Sequence, residues 1–337
     1  MARSAALNRR QFLTLDAPVS PPPADGYWIR LHRGAMACRF EVVLPGEDAA
    51  YLPAARTALN LADRLEARLT VFRDTSEVSH VNRTAGDGPV TVHPALFDLL
   101  SLSATIHRDT TGAFDITSTP LSRCWGFLRR DGKRPTSDAI DAARAAVGMH
   151  LVELDPERQT VRFQRREVEL NLGSIGKGHA LDVMAAKLRR LGVRDVLLSA
   201  GGSSILAVGS DHGRGGWPVD LRPRLASRGR LARLRLRDAA IATSGAGEQF
   251  VLADGRRYGH VLDPRTGWPA SGVLSATVIA RRASVADALS TAFLVDGPGL
   301  AARYCAAHAD TMALLALEDG ERVEAFGACA GVMVEED

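Results

Sequence analysis

Three groups of residues in this chain have chemistry to offer: a lysine set among glycines, an aspartate and a threonine one helical turn apart, and a histidine ahead of a tight turn. The first is Gly173-Ser174-Ile175-Gly176-Lys177-Gly178, which ends a strand-like run and opens a helical one. Such a junction offers backbone N–H groups and the positive end of a helix dipole to a phosphate, and Lys177 adds a full charge. The glycine spacing is not that of a Walker A loop, and Gly178 stands where Ser or Thr would follow the lysine. A Gly-rich helix entry with a solvated lysine has the same pattern. Asp287 and Thr291 can point the same way from one helix face, and a carboxylate with a hydroxyl suits a hard cation such as magnesium. Ser284-Val285-Ala286-Asp287 also fits the Ser-x-x-Asp capping pattern, in which Asp287 merely bonds its own helix start. His260 has the pKa range of a general base and precedes the turn Asp263-Pro264-Arg265-Thr266-Gly267, although a lone histidine is more often structural. Asp115, after Gly112-Ala113-Phe114, can receive a ligand hydroxyl or amide, or cap the next turn through Thr117. Thr243-Ser244-Gly245 adds hydroxyls at a strand end, or a plain turn.

The elements that must position these groups follow from periodicity. Residues 27–44 predict a strand pair. Residues 49–69 predict a helix, with Leu52, Ala55, Leu59, Ala62, Leu65 and Leu69 at helical spacing. A loop at Thr75-Ser76 and a helix over 94–110 follow. Short strands are expected at 151–154, 160–163 and 167–171, then a helix over 176–191 stopped by Gly192. Strand-like runs recur at 196–199, 205–208, 231–236, 240–243, 249–252, 257–262 and 273–280, with His260 on the face of Tyr258 and Leu262. Helices over 285–294 and 298–307 precede strands at 312–317 and 322–326. Runs of strands with inserted helices, without regular βαβ alternation, indicate an α+β fold. The order is compatible with a two-fold arrangement of sheet-plus-helix halves.

Composition sets the remaining bounds. A chain of 337 residues can bury a full core, and a net charge of +3 with scattered arginine pairs gives no nucleic-acid stripe. The four cysteines are far apart and form no Cys-x-x-Cys, which disfavours a disulfide framework or a zinc site. Residues 1–26 read as a flexible, Pro-rich leader, and 27–334 as one domain. Arg9-Arg10 resembles the start of a twin-arginine signal, but no apolar stretch of about 7–15 residues follows. The expected compartment is therefore cytoplasmic, with periplasmic export as the alternative.

Taken together, Gly-Ala-Phe-Asp-x-Thr (112–117), Gly-x-Ile-x-Lys-Gly-x-x-x-Asp (173–182), Thr-Ser-Gly (243–245), His-x-x-Asp-Pro-x-Thr-Gly (260–267) and Asp-x-x-x-Thr (287–291) resemble the ApbE family of FAD:protein FMN transferases. Met36 and the Phe72…Ser76-Glu77 loop match early positions of the family. The resemblance implies an ApbE-like fold of two T-fold-like halves around one flavin site. It implies a reaction in which magnesium assists transfer of FMN from FAD to a Ser/Thr hydroxyl of a target flavoprotein, through a phosphoester bond and with release of AMP. The target would carry an Asp-x-x-Ser/Thr-Gly-Ala-Thr-type motif. By the same resemblance Met36, Phe72, Ala113, Phe114, Asp115, Lys177 and Val261 would bind the flavin nucleotide. The backbone oxygen of Ser174 with the side chains of Asp287 and Thr291 would hold magnesium, and His260 would be the base. This chain has Met36-Ala37-Cys38 where the family often has Met-Gly-Thr, and Ser199-Ala200-Gly201-Gly202-Ser203 where Asn-x-Gly-Gly-Asp is common. The same site using water would be an FAD pyrophosphatase giving FMN and AMP. A non-catalytic FAD-binding protein is the alternative from another class.

Overall fold

The structure is a computed structural model that describes residues 13–16, 27–128, 132–223, 232–245, 247, 249–318 and 323–335. Its centre is an eight-stranded antiparallel sheet whose spatial order follows the chain. The strands are β1 (Trp28–Ala35), β2 (Cys38–Pro45), β3 (Val196–Ala200), β4 (Ser204–Val208), β5 (Ala239–Gly245), β6 (Val273–Ala280), β7 (Thr311–Leu317) and β8 (Val323–Ala328). Between β2 and β3 run the helices α1 (Leu52–Leu69) and α2 (Gly176–Arg190). Between β6 and β7 run α3 (Ala283–Asp296) and α4 (Pro298–Ala307). Each half thus contributes two strands, a packed helix pair and two strands; the first also inserts the helices Glu77–Thr84, Pro94–Asp109, Thr119–Cys124 and Ser137–Arg144 and a small sheet of 90–91, 152–155 and 160–163. The halves join edge to edge where β4 pairs with β5, Ile205 opposite Ile241. The α+β expectation holds, and the two halves form one continuous sheet.

Both faces of that sheet are covered, so β3, β4 and β6 are buried along their whole length rather than alternating. One face packs on the helices, with Phe40, Val42, Leu198, Leu206, Ala242 and Val278 meeting Ala180, Met184, Leu289 and Phe293 in one cluster. The other meets a second antiparallel sheet of strands 13–16, 217–223, 232–236 and 332–335 through Val43, Leu197, Ile205, Ile241, Trp217, Val219 and Leu236. Residues 13–16 are therefore paired, Leu15 opposite Leu221, where the sequence suggested an unstructured leader. The other leader residues, including Arg9 and Arg10, lie outside the described residues. No helix among the described residues is long and apolar enough to cross a membrane.

Three sequence expectations differ from the structure for identifiable reasons. The run 167–171 forms no strand; the side chain of Asn82 takes both the N–H and the C=O of Leu170, at 2.8 and 3.0 Å, in place of a neighbouring strand. The strand expected to carry His260 spans only Arg256–Gly259, and Leu262 returns to bridge Pro269 across the turn. The loop at Thr75-Ser76 leads into a helix, Glu77–Thr84, because Ser76 Oγ accepts the Ser79 N–H at 3.0 Å as an N-cap. The helices Thr119–Cys124 and Ser137–Arg144 were likewise not foreseen.

Candidate active site

The site lies where the halves meet, at the first turn of α2, the middle of α3 and the end of β5. A cavity of about 320 Å³ is lined there by Ala113, Phe114, Asp115, Ser174, Lys177, His260, Val261, Asp287 and Thr291 among others. A second, more apolar cavity of about 250 Å³ shares Asn171, Gly173 and Lys177 with the first and is lined by Met36, Leu69, Val71 and Phe72. All eleven residues assigned by resemblance line one cavity or the other. Met36 and Phe72 fall in the second, and Lys177 is common to both. Phe72 is 76 % exposed, an aromatic ring held at the rim.

Asp287 does not cap its own helix. Its Oδ2 accepts the Gly178 N–H at 3.0 Å, its Oδ1 accepts the Ser204 hydroxyl at 3.1 Å, and Lys177 Nζ lies 3.3 Å from Oδ1. The carboxylate therefore sits at the positive end of α2, where a helix favours an anion. What brings it there is Gly178: a Cβ at this position would stand 2.1 Å from the Ala283 carbonyl oxygen, so only glycine lets α2 and α3 touch backbone to backbone. The cap of α3 is instead Asp182, which accepts the N–H groups of Ala283 and Ser284. Thr291, one turn beyond Asp287, has its hydroxyl 3.2 Å from that of Ser244, which also meets Ser290 at 2.8 Å.

His260 is held from two sides. The Gln249 carbonyl accepts its backbone N–H at 3.0 Å and lies 3.2 Å from its Nδ1. A carbonyl only accepts, so Nδ1 carries the ring proton and Nε2 the lone pair that a base requires. The Phe127 ring meets the imidazole edge-on at 6.4 Å. Beyond it, the turn 263–267 is tied down by Trp125, whose Nε1 donates to the Gly267 carbonyl at 2.9 Å within a cluster of Trp125, Tyr258 and Trp268.

Asp115, on the wall of the first cavity, is bonded to its own surroundings. Its Oδ1 accepts both the N–H and the hydroxyl of Thr117, and its Oδ2 the N–H of Met149 at 3.2 Å, with His107 Nδ1 3.1 Å away. Burial disfavours the His107 imidazolium. The hydrogen bond and charge of Asp115, with the Phe114 carbonyl, outweigh it and hold the pKa above the usual histidine value. Cys38, beside the second cavity, is kept a thiol by burial, an effect that the Lys177 charge only partly offsets.

Among the residues not singled out from sequence, Asp182 was visible as the last position of the lysine motif. Ser118, Thr119, Ser122 and Asn171, which also line the first cavity, carried no spacing signal. The oxygen groups at this end of the cavity are the Asp287 carboxylate and the Ser204, Ser244 and Thr291 hydroxyls, with Ser174 on the same lining. No group of three His, Cys, Asp or Glu able to hold a metal occurs among the described residues. Oxygen groups of this kind suit a hard cation such as magnesium better than a softer metal needing nitrogen or sulfur.

The chain is similar to known proteins in sequence and in fold. A Klebsiella pneumoniae protein named FAD:protein FMN transferase is 32% identical over 246 residues, covering 71% of this chain and 69% of that protein. An Escherichia coli K12 protein of the same name is 31% identical over 250 residues, covering 72% and 70%. The crystal structure of the ApbE protein of Thermotoga maritima superposes with a TM-score of 0.79 at 27% identity, over 89% of this chain and 97% of that one. The sequence pattern of the ApbE family matches residues 36–315, from the turn of the first hairpin to the seventh strand of the central sheet, and the chain belongs to that family.

Proposed function

We propose that this protein is an FAD:protein FMN transferase, moving FMN from FAD to a Ser/Thr hydroxyl of a target flavoprotein through a phosphoester bond, with release of AMP. The observation that carries the reading is the placement of Lys177. It stands at a helix N-terminus on the wall common to two cavities, with Asp287 and His260 lining the first. A dinucleotide has that form, two ring systems joined by a pyrophosphate. The arrangement suits a pyrophosphate over Lys177 with a ring to either side, the apolar cavity at Met36 and Phe72 taking one of them.

The acceptor hydroxyl attacks the phosphorus of the FMN portion, the P–O bond to the AMP portion breaks, and the hydroxyl proton passes to Nε2 of His260. The tautomer set by Gln249 has Nε2 ready to receive it. Lys177 and the α2 dipole offset the charge that develops on the departing AMP. Ser174 through its backbone oxygen, Asp287 and Thr291 would hold magnesium, whose chemistry here is neutralisation of phosphate charge. The Phe127 edge and the turn at 263–267 keep the base oriented.

The test uses purified protein with FAD, magnesium and an acceptor bearing the Asp-x-x-Ser/Thr-Gly-Ala-Thr-type motif, followed by intact mass spectrometry and AMP assay. One FMN added per acceptor with equal AMP is the expected result. Free FMN and AMP with unmodified acceptor would replace the transferase by a pyrophosphatase, and unchanged FAD would leave a binding protein. His260→Ala should bind FAD as the wild type does and lose about 10²–10⁴-fold in transfer rate, the usual contribution of a general base.

A further inference from the structure

Asp182 lies on α2 five residues after Lys177 and faces the start of α3. Its Oδ1 accepts the Ala283 N–H at 2.8 Å, and its Oδ2 accepts the Ser284 N–H at 3.1 Å and the Ser284 hydroxyl at 2.6 Å. The first amides of a helix need acceptors, and α3 has no cap of its own, since the N-cap residue Arg282 makes no side-chain capping bond. Asp182 supplies from a neighbouring helix what an N-cap residue supplies from within. The return bond runs the other way: Asp287, one turn into α3, accepts the Gly178 N–H in the first turn of α2. The two helices cap each other across the contact that Gly178 makes possible. Bonds running in both directions, three into Asp182 and one into Asp287, fix both the axial register and the rotation of α3 on α2, and that rotation decides where Asp287 and Thr291 point.

We propose that Asp182 is a positioning residue for the reaction, setting the rotation of α3 and through it the placement of Asp287 and Thr291 at the cavity. The consequence for metal binding rests on the reading of those two residues given above, whereas the effect on the Gly178 amide does not. The test compares the full chain with Asp182→Ala, Asp182→Asn and Leu188→Ala, the last a core truncation farther along the same helix. Two quantities are read: exchange protection of the Gly178 amide by NMR, and affinity for Mn²⁺ in the presence of FAD by electron paramagnetic resonance. Asp182→Ala should lose both by about tenfold, the scale set by a lost helix cap. Asp182→Asn, which keeps one acceptor oxygen, should recover part of each. Leu188→Ala should lower the melting temperature and leave both readings in place. Wild-type Gly178 protection or wild-type Mn²⁺ affinity in Asp182→Ala overturns the proposal, as does an equal loss in Leu188→Ala. Protection lost in Asp182→Ala, with no Mn²⁺ bound even by the wild type, upholds the positioning role and removes the metal reading instead.

Discussion

Gly178→Ala separates a helix-propensity argument from a packing argument, because the two predict opposite signs. Gly178 is in the first turn of α2 with no left-handed backbone to protect, so propensity alone makes alanine better by about 0.8–1 kcal/mol. The packing says otherwise. The added Cβ would lie 2.1 Å from the Ala283 oxygen, 2.4 Å from its carbonyl carbon and 2.7 Å from the Ser284 Cα, all backbone atoms that no rotamer change can move. Ordinary contact begins at 3.4 Å, so α2 and α3 must part locally by roughly 1.3 Å. Overpacking of this kind costs about 1–3 kcal/mol, which exceeds the propensity gain. The same displacement lengthens the 3.0 Å bond between the Gly178 amide and Asp287 past hydrogen-bonding range and moves Asp287 relative to Lys177. A misplacement near 1 Å in a catalytic array can lower the rate about 10²-fold. Urea unfolding and FMN transfer to an acceptor, measured on the same preparation, decide the matter. A variant that is more stable than the wild type and transfers FMN at the wild-type rate would refute the close-contact reasoning.

Two further outcomes follow from the geometry. Met36 and Ala37 form a two-residue turn between paired Ala35 and Cys38 with φ of 51° and 57°, both left-handed. Ala37→Gly should relieve about 1–2 kcal/mol of strain and give back about 0.4–1 kcal/mol to the unfolded chain, raising the urea midpoint. His107 has a folded pKa raised by Asp115, so its contribution to stability is full below the unfolded histidine value of about 6.5 and fades as pH rises through the folded one. The stability difference between wild type and His107→Gln should therefore hold below about pH 6.5 and shrink above it, as followed by urea unfolding at stepped pH, and a difference that grows with pH would contradict it.

How much of this was legible in the sequence depended on whether a residue's role was local. The helix of 52–69 and the helix opened by Gly176 were readable, because their apolar spacing and their stops are contained within each segment. The motif residues were readable as a set, yet the local partners of Asp287 were not. Asp287 looked like a cap of its own helix, because Ser284 precedes it at capping distance; it is Asp182, a hundred residues earlier, that caps α3 and releases Asp287 to α2. Asp115 could be read from sequence as a ligand contact or as a cap through Thr117; it makes the Thr117 bonds and also lines the cavity. The sequence of 167–171 has strand composition, but its partner is the side chain of Asn82, and a side chain leaves no periodic trace. Strand 232–236 was readable, but its partner 332–335 lies about a hundred residues away and left no local signal, and 217–223 was missed although it pairs close by in sequence.

The pairing of Lys177 with Asp287 has a consequence for how the site fills. One lysine stands 3.3 Å from a carboxylate that is nearly buried, at the point where a pyrophosphate would also seek the lysine and the helix dipole. Without a cation, phosphate and Asp287 compete for the same positive charge and repel each other; burial keeps solvent from screening that repulsion. A magnesium ion at Asp287 would remove the competition and leave Lys177 to the phosphate. FAD and magnesium should therefore bind cooperatively, each tightening the other by the same factor, about 10- to 100-fold, since coupling between two ligands is reciprocal. FAD affinity with and without magnesium, by flavin fluorescence, gives one factor. Metal affinity with and without FAD, using Mn²⁺, gives the other. In Lys177→Met the lysine for which the two anions compete is gone, so FAD should bind more weakly throughout and depend on the metal more steeply. FAD that binds the wild type equally well with and without magnesium would show that Asp287 and the phosphates do not share a field, and the placement of the pyrophosphate over Lys177 would fall with it.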